Sequence, residues 1–230
     1  MNTISIIIPT LNEEQFLPDL FKSLIRQDID IRTIPIILAD AGSSDLTIDV
    51  ALQFKKKFNL NLSIISGGLP AAGRNAGAKI ASTKYILFLD ADIKLKTNDL
   101  LSKSLKLITE KNLDLVTTNI ECPHDNFLYM CNNFCQQLSR LARPFATGMF
   151  MLMNSNTFQS LGGFDEDILF AEDYLLSRKI QRKKFGIVSG NVTTTNRRFK
   201  KISKFQMIKK FLGAAIHFND AWFRQNHNWW

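Results

Sequence analysis

Apolar and polar positions run along the first half of the chain in two alternating rhythms. Residues 4–8 form a near-continuous β-branched run with the length of a buried strand, stopped by Pro9. From 13 to 27 the period lengthens, and Phe16, Leu17, Leu20, Phe21 and Leu24 make one helical stripe. A second strand over 34–39 ends in Asp40-Ala-Gly42-Ser43-Ser44. Ser44 is placed to cap a helix that carries Leu46, Val50, Leu52 and Phe54 toward a basic end at Lys55, Lys56 and Lys57. Residues 60–65 predict a third strand, closed by Gly67-Gly68. A helix from Pro70 or Ala71 to Ile80 leads into a strand at Tyr85–Leu89, followed by a helix near 98–110 and a strand over 113–118. Four or five βα units with short connections predict an α/β fold, with three layers around a mostly parallel central sheet. The order of strands across the sheet is not contained in this pattern.

The second half leaves that rhythm. A helix is expected over 125–141, stopped by Pro144, then a short strand over 150–153. Residues 157–165 read as a short helix ending in the turn Gly162-Gly163, and 173–184 as a helix with Leu175, Leu176 and Ile180 inward. A strand near 185–188 gives way to the polar stretch 189–196 and then Arg197-Arg198.

With 45% apolar and 22% charged residues, the 230-residue chain has the composition of an ordinary globular protein. Cys122, Cys131 and Cys135 are odd in number and unevenly spaced, with no histidines at zinc-site spacing, so neither a disulfide framework nor a zinc site is expected. The absence of a basic n-region, a cleavage site or an eighteen-residue apolar run points to a cytoplasmic protein, with peripheral contact to the inner membrane face as the alternative. Charge changes the picture more. Residues 1–173 hold 16 Lys/Arg against 20 Asp/Glu, whereas 174–230 hold 13 against the single Asp220, a swing from −4 to +12. Such a basic segment faces phosphates, whether of a ligand, a nucleic acid or a lipid surface.

The chemistry concentrates at strand ends. The run at Tyr85–Leu89 breaks into Asp90-Ala91-Asp92, two carboxylates at the rim where open α/β sheets hold ligands, and carboxylates there suit a divalent cation carrying phosphate oxygens. If the sheet is parallel, Asn12-Glu13, Asp40 and the loop 67–77 with Arg74-Asn75 gather beside them. Arg74, between Gly73 and Gly77 near a helix start, is placed to meet a carboxylate or a phosphate. These glycines make neither a dinucleotide fingerprint nor a Walker A loop.

In their order these segments resemble the inverting glycosyltransferases of family 2, which have the GT-A fold. The likeness begins at Ser5-Ile-Ile-Ile-Pro9-Thr10-Leu-Asn12-Glu13 and continues through Asp40-Ala-Gly-Ser-Ser-Asp45, Gly73-Arg74-Asn75-Ala-Gly77 and Phe88-Leu-Asp90-Ala91-Asp92. Gly148 with its following strand, Gly162-Gly163-Phe164-Asp165-Glu166 and Glu172-Asp173-Tyr174-Leu175 resemble the acceptor-side elements. The resemblance implies a nucleoside-diphosphate sugar donor, Mg²⁺ or Mn²⁺ held by Asp92 with Asp90, Asp40 at the base, and Asp173 of the pair Glu172-Asp173 as general base. Arg197 and Arg198 lie in a segment similar to one that meets the diphosphate in a smaller subgroup. The implied acceptor is a saccharide or a lipid-linked sugar. Likeness covers about residues 3–198, divided into a nucleotide-binding part (1–119) and an acceptor-side part (120–198), with 199–230 as a basic tail.

A single inverting displacement needs one base and a stabilised leaving diphosphate, which matches these residue types; glycoside hydrolases instead flank the bond with two carboxyls. A nucleotidyltransferase making activated sugars would carry a glycine-rich basic loop after its first strand, where this chain has Thr10-Leu-Asn12-Glu13-Glu14. A nucleic-acid-binding protein would use the basic tail with interleaved aromatics on a sheet, a pattern that is not present. In the tail, residues 201–217 have helical periodicity, with Ile202, Phe205, Ile208, Leu212 and Ile216 on one side. That predicts a basic helix docked on the core or lying on an anionic membrane. Oligomeric state is left open.

Overall fold

In a computed structural model, which describes residues 3–123, 126–168, 171–195 and 197, the first strand runs through Pro9 rather than stopping there. β1 (Ile4–Thr10) lies between β2 (Ile36–Asp40) and β4 (Tyr85–Leu89). The Ile6 N–H donates to the Pro35 carbonyl on the β2 side, so by alternation the amide position of Pro9 faces β4. The β1–β4 register ends at Ile7↔Phe88, and the missing N–H costs no ladder bond.

The remaining strands are β3 (Leu62–Ser66), β5 (Ile93–Leu95), β6 (Leu115–Glu121), β7 (Phe150–Asn154) and β8 (Phe185–Thr194). All join one sheet in the order β3-β2-β1-β4-β7-β6-β8-β5. β3, β2, β1 and β4 are parallel, β7 is antiparallel to both β4 and β6, β8 is parallel to β6, and β5 opposes β8. The sheet is thus mostly parallel, as expected. The C-terminal ends of β1, β2, β3, β4, β6 and β8 open on one edge, together with the start of β7.

Both faces of the sheet are covered. Ile6, Ile8, Ile36, Leu38, Leu87 and Leu89 pack with α1 (Leu17–Ile25) and α4 (Leu100–Glu110) on one side, where α2 (Thr47–Phe58) adds Ala51 and α5 (Asn126–Ser139) adds Tyr129. The alternate positions Ile7, Ile37, Ile86 and Phe88 pack with α3 (Pro70–Ile80), α6 (Ser155–Ser160) and α7 (Glu172–Ser177) on the other. Each such Ile or Leu contributes about 1.5–3 kcal/mol by burial. Two apolar faces make these strands continuous hydrophobic runs in sequence, without a polar side.

Several boundaries differ from expectation. α1 starts at Leu17 instead of 13, because Asn12 takes a left-handed φ of 56° and Pro18 sits in the first helical turn. Ser44 does not cap α2. Its N–H donates to Asn12 Oδ1 at 2.8 Å, and Asp45 Oδ1 instead accepts from the Thr47 N–H at 3.0 Å. α7 ends at Ser177, whose hydroxyl donates to the Tyr174 carbonyl and accepts the Ala146 N–H, so helix forms over only the beginning of the expected span 173–184. The polar stretch that begins at 189 is strand as far as Thr194, because β6 pairs one side of β8 and the unforeseen β5 pairs the other. Arg198 and the expected helix over 201–217 lie outside the described residues. No helix among the described residues is long and apolar enough to cross a membrane.

Candidate active site

The loops after β1 and β2 are stitched together before any ligand is considered. The Asn12 N–H donates to Ser43 Oγ, that of Glu13 to Thr47 Oγ1, that of Glu14 to Asp45 Oδ2, and that of Leu46 back to Glu14 Oε2. Within this seam Asp40 accepts from Thr10 Oγ1 (3.0 Å), Ser43 Oγ (2.6 Å), and the N–H groups of Gly42 and Ser43. Burial raises the Asp40 pKa most strongly of the single influences, but the hydrogen bonds from Ser43, Thr10 and Gly42 together outweigh it and hold the carboxyl below its ordinary value. A cleft of about 530 Å³ opens between Asn12, Phe16, Asp45, Thr195 and Arg197, a size that admits a nucleotide-like molecule.

Beside that cleft, against its lining residues Thr195 and Arg197, Glu13 and Asp92 are both buried. Arg197 forks onto Glu13 with two bonds of 2.8 Å, reaches Asp92 Oδ2 at 3.6 Å, and stacks its guanidinium 5.1 Å from the Phe16 ring. Thr195 Oγ1 donates to the same Asp92 oxygen at 3.3 Å. Burial raises the Glu13 pKa; Arg197 opposes this, and Asp92 and Asp90 add to it. Arg197 thus joins the first strand end to the last described one across 184 positions of sequence. Phe16, expected only as part of the α1 stripe, is the ring on which that arginine rests.

Arg74 is held deeper than its sequence context indicates. Its side chain is 4% exposed, with Nη2 donating to Asp90 Oδ1 at 2.7 Å and Nη1 to Glu172 Oε1 at 2.6 Å. Burial works against its charge, but Asp90, Glu172 and Asp173 outweigh that, so its pKa is raised and it stays a cation. The Phe164 ring lies 5.4 Å from the guanidinium. Gly148 passes so close over it that a Cβ there would stand 2.8 Å from Cζ, so a larger residue would have to displace the buried guanidinium. Of the two partners the sequence left open for Arg74, the structure provides carboxylates.

Gly148 also donates its N–H to Asp173 Oδ2 at 2.5 Å, and the Tyr174 N–H donates to Oδ1 at 2.7 Å. Partly buried between them, the Asp173 carboxyl has its pKa pushed up to about 6, chiefly by burial and then by Glu172, against the pull of Arg74. Ala171, just before α7, adopts a left-handed φ of 61°, a strained conformation that sets the helix start beneath these groups. Asn75 bonds both the N–H and the carbonyl of Phe164 and also Glu166, so it fixes the glycine turn rather than facing the rim. Gly163, at φ 73°, would place a Cβ 2.7 Å from Asn75 Oδ1. Gly73 is buried where α3 meets Pro9, and Ala91 is buried between the two rim aspartates. Pro9, Thr10, Asn12, Glu13, Asp40, Asp90, Asp92 and Arg197 thus lie along one sheet edge, with Gly148 and Asp173 at the start of β7; Arg74 lies beneath it, Asn75 sits in the glycine turn with Gly163 and Phe164, and Arg198 is not among the described residues.

A Mg²⁺ or Mn²⁺ ion fits this donor set in one way. Among the described residues no three acidic, Cys or His groups form a cage, and Asp90 is engaged by Arg74. Asp92, bonded by Thr195 and approached by Arg197 at 3.6 Å, would be the carboxylate to hold such an ion, which would supply positive charge to a ligand's phosphates.

Comparison with known proteins agrees with this architecture. The family model described as "Glycosyl transferase family 2" matches residues 5–163. A poly(ribitol-phosphate) beta-glucosyltransferase of Bacillus spizizenii is 39% identical over 93 residues, which is 39% of this chain but 14% of that protein. An uncharacterized glycosyltransferase of Haemophilus influenzae is 30% identical over 162 residues, covering 69% of this chain and 60% of the relative. The chain thus spans only part of the curated relatives it matches, about one-seventh in the first case. Among solved structures, the mannosyltransferase PcManGT of Pyrobaculum calidifontis, in complex with GDP-Man and Mn²⁺, superposes with a TM-score of 0.73 at 19% identity over 94% of this chain and 65% of that one. TarS residues 1–349 of S. aureus, in complex with UDP, gives 0.68 at 21% identity over 85% and 60%. These likenesses establish the GT-A-type fold.

Proposed function

The chain belongs to glycosyl transferase family 2, and from that premise we propose that it moves a sugar from a nucleoside-diphosphate sugar to an acceptor hydroxyl, with inversion. The observation that carries the proposal is the grouping of Asp40, Asp92 and Asp173 along one sheet edge, with Arg74 bonded between the acids of the donor side and those of α7. Donor class is supported by neighbours of the same fold solved with UDP, UDP-GlcNAc and GDP-Man. The acceptor is a saccharide or lipid-linked sugar.

Each residue then has a task. Asp40, kept ionised by its hydrogen bonds, accepts from the base or ribose of the donor in the neighbouring cleft. Arg197, already a fork beside Asp92, is placed to receive diphosphate oxygens in exchange for Glu13. When bound by Asp92, a divalent cation would supply electrostatic stabilisation of the leaving diphosphate. Arg74 keeps Asp90 and Glu172 in register without itself reaching the rim. Asp173, aimed by the Gly148 and Tyr174 amides, takes the proton of the acceptor hydroxyl as that oxygen attacks the anomeric carbon. One base on one face gives a single displacement and an inverted product.

The test is turnover of a panel of UDP- and GDP-sugars with Mn²⁺ or Mg²⁺, followed by NMR of the product's anomeric proton. We predict release of nucleoside diphosphate, abolished by chelation, and a product of opposite anomeric configuration to the donor. A retained configuration would exclude Asp173 as the single base.

A further inference from the structure

α5 packs Tyr129 on the core, yet most of its large apolar side chains face outward. Its inner side is anchored by amides: Asn133 bonds both the N–H and the carbonyl of Ile120, at 2.9 and 2.8 Å, beyond the point where β7 stops pairing β6, and Gln136 donates to Thr117 Oγ1 at 3.3 Å. Its outer side is apolar. Phe127 (66% exposed), Met130 (61%), Phe134 (63%) and Leu138 (48%) follow a 3-4-4 spacing, and Leu141 (74%) continues the stripe just past the helix end. Together they leave on the order of 500 Å² of apolar surface bare, at the upper end for a monomer.

The chemistry around the stripe selects its occupant. α5 carries no charged residue, and residues 126–164 hold no Asp or Glu at all. Among the described residues, the charges beside the stripe's C-terminal end are basic. Arg140 and Arg143 flank Leu141 and are exposed, and exposed Arg182 donates to the Leu141 carbonyl at 3.3 Å, with Lys183 next to it. An apolar helix face edged by arginines matches the interface of an anionic bilayer, where the side chains enter the acyl boundary and the guanidinium groups meet lipid phosphates. A second copy of the same surface brings no acid from within 126–164 to answer that fringe. Segment 198–230 of this chain brings only Asp220.

We propose that α5 is a membrane-docking helix that seats the protein on anionic lipid. The consequence for geometry is direct, because the loop leaving α5 runs through Ala146 and Gly148, which bond Ser177 and Asp173. Seating α5 on the bilayer brings the acceptor side of the rim to within one loop of the lipid surface. Docking itself is independent of the transfer chemistry.

Two thiols make the face readable. Cys131 and Cys135 are exposed on α5, and Cys122 is buried. In the full chain with Cys135→Ser, an environment-sensitive fluorophore on Cys131 is titrated with phosphatidylglycerol/phosphatidylcholine vesicles and with phosphatidylcholine alone. The expected result is a blue shift with the anionic vesicles only, together with a loss of roughly tenfold or more in vesicle co-sedimentation for Phe127→Ser/Phe134→Ser. An unchanged melting temperature shows that the variant is folded. Docking by α5 is overturned if the protein sediments with vesicles without a probe shift, since another segment then binds, or if the double variant partitions like wild type. It is equally overturned if the shift appears without lipid as protein concentration rises, since the face is then a contact between copies.

Discussion

Asn in place of Asp173 is expected to lower the transfer rate by about a thousandfold while leaving nucleotide affinity within about a factor of two. The amide cannot take a proton from the acceptor, yet it fills nearly the same volume beside Gly148 and Tyr174, and the nucleotide cleft lies elsewhere along the edge. Turnover with calorimetric binding separates the two effects. A pH profile adds an independent check. The base works as a carboxylate, and its pKa is pushed up to about 6 by burial and by Glu172, so the group is protonated and idle below that value. Rate should therefore rise with pH through about 6 and level off near neutrality, and the inflection should be missing from the residual activity of the variant. A flat profile in the wild type, or near-normal turnover in the Asn form, would remove Asp173 from the role.

The second large effect is on stability. Arg74→Ala is predicted to cost about 3–5 kcal/mol, because it strands Asp90 and Glu172, whose side chains are only 15% and 14% exposed, without their cation. For a chain of this length that corresponds to a fall of roughly 10 °C in melting temperature. Arg74→Lys should fall between the two, since one ammonium cannot fork onto carboxylates on both sides. Thermal denaturation followed by circular dichroism measures this. If Arg74→Ala melts like wild type, the buried triad does not hold α7 to the donor side.

How much of this was legible beforehand depended on how local each cause is. Tyr85–Leu89 and Pro70–Ile80 match expectation because their limits are set by adjacent residues: the aspartate that ends one, the proline that opens the other. β5 was missed since three residues carry too little periodicity, and the end of β8 since only its pairing with β5 and β6 makes Thr193 and Thr194 strand. The bond between Glu13 and Arg197 could not be read at all; a gap of 184 positions leaves no spacing to recognise. α5 is the subtler case. A helix is expected over 125–141, but expecting a helix does not say which of its faces points outward. Asn133 and Gln136 decide that by claiming the inner side. The family likeness supplied the candidate residues from motifs at strand ends, and a mostly parallel sheet brings strand ends to one edge.

The most direct measurement of the central claim is calorimetric titration of UDP and of GDP, each with Mn²⁺ and with chelator, into wild type and Asp92→Asn. The account predicts that one of these nucleotides binds the wild type in a metal-dependent way, and that Asp92→Asn reduces affinity to the metal-free level. Binding that is unchanged by both chelation and the substitution would contradict a metal-bridged diphosphate at this edge.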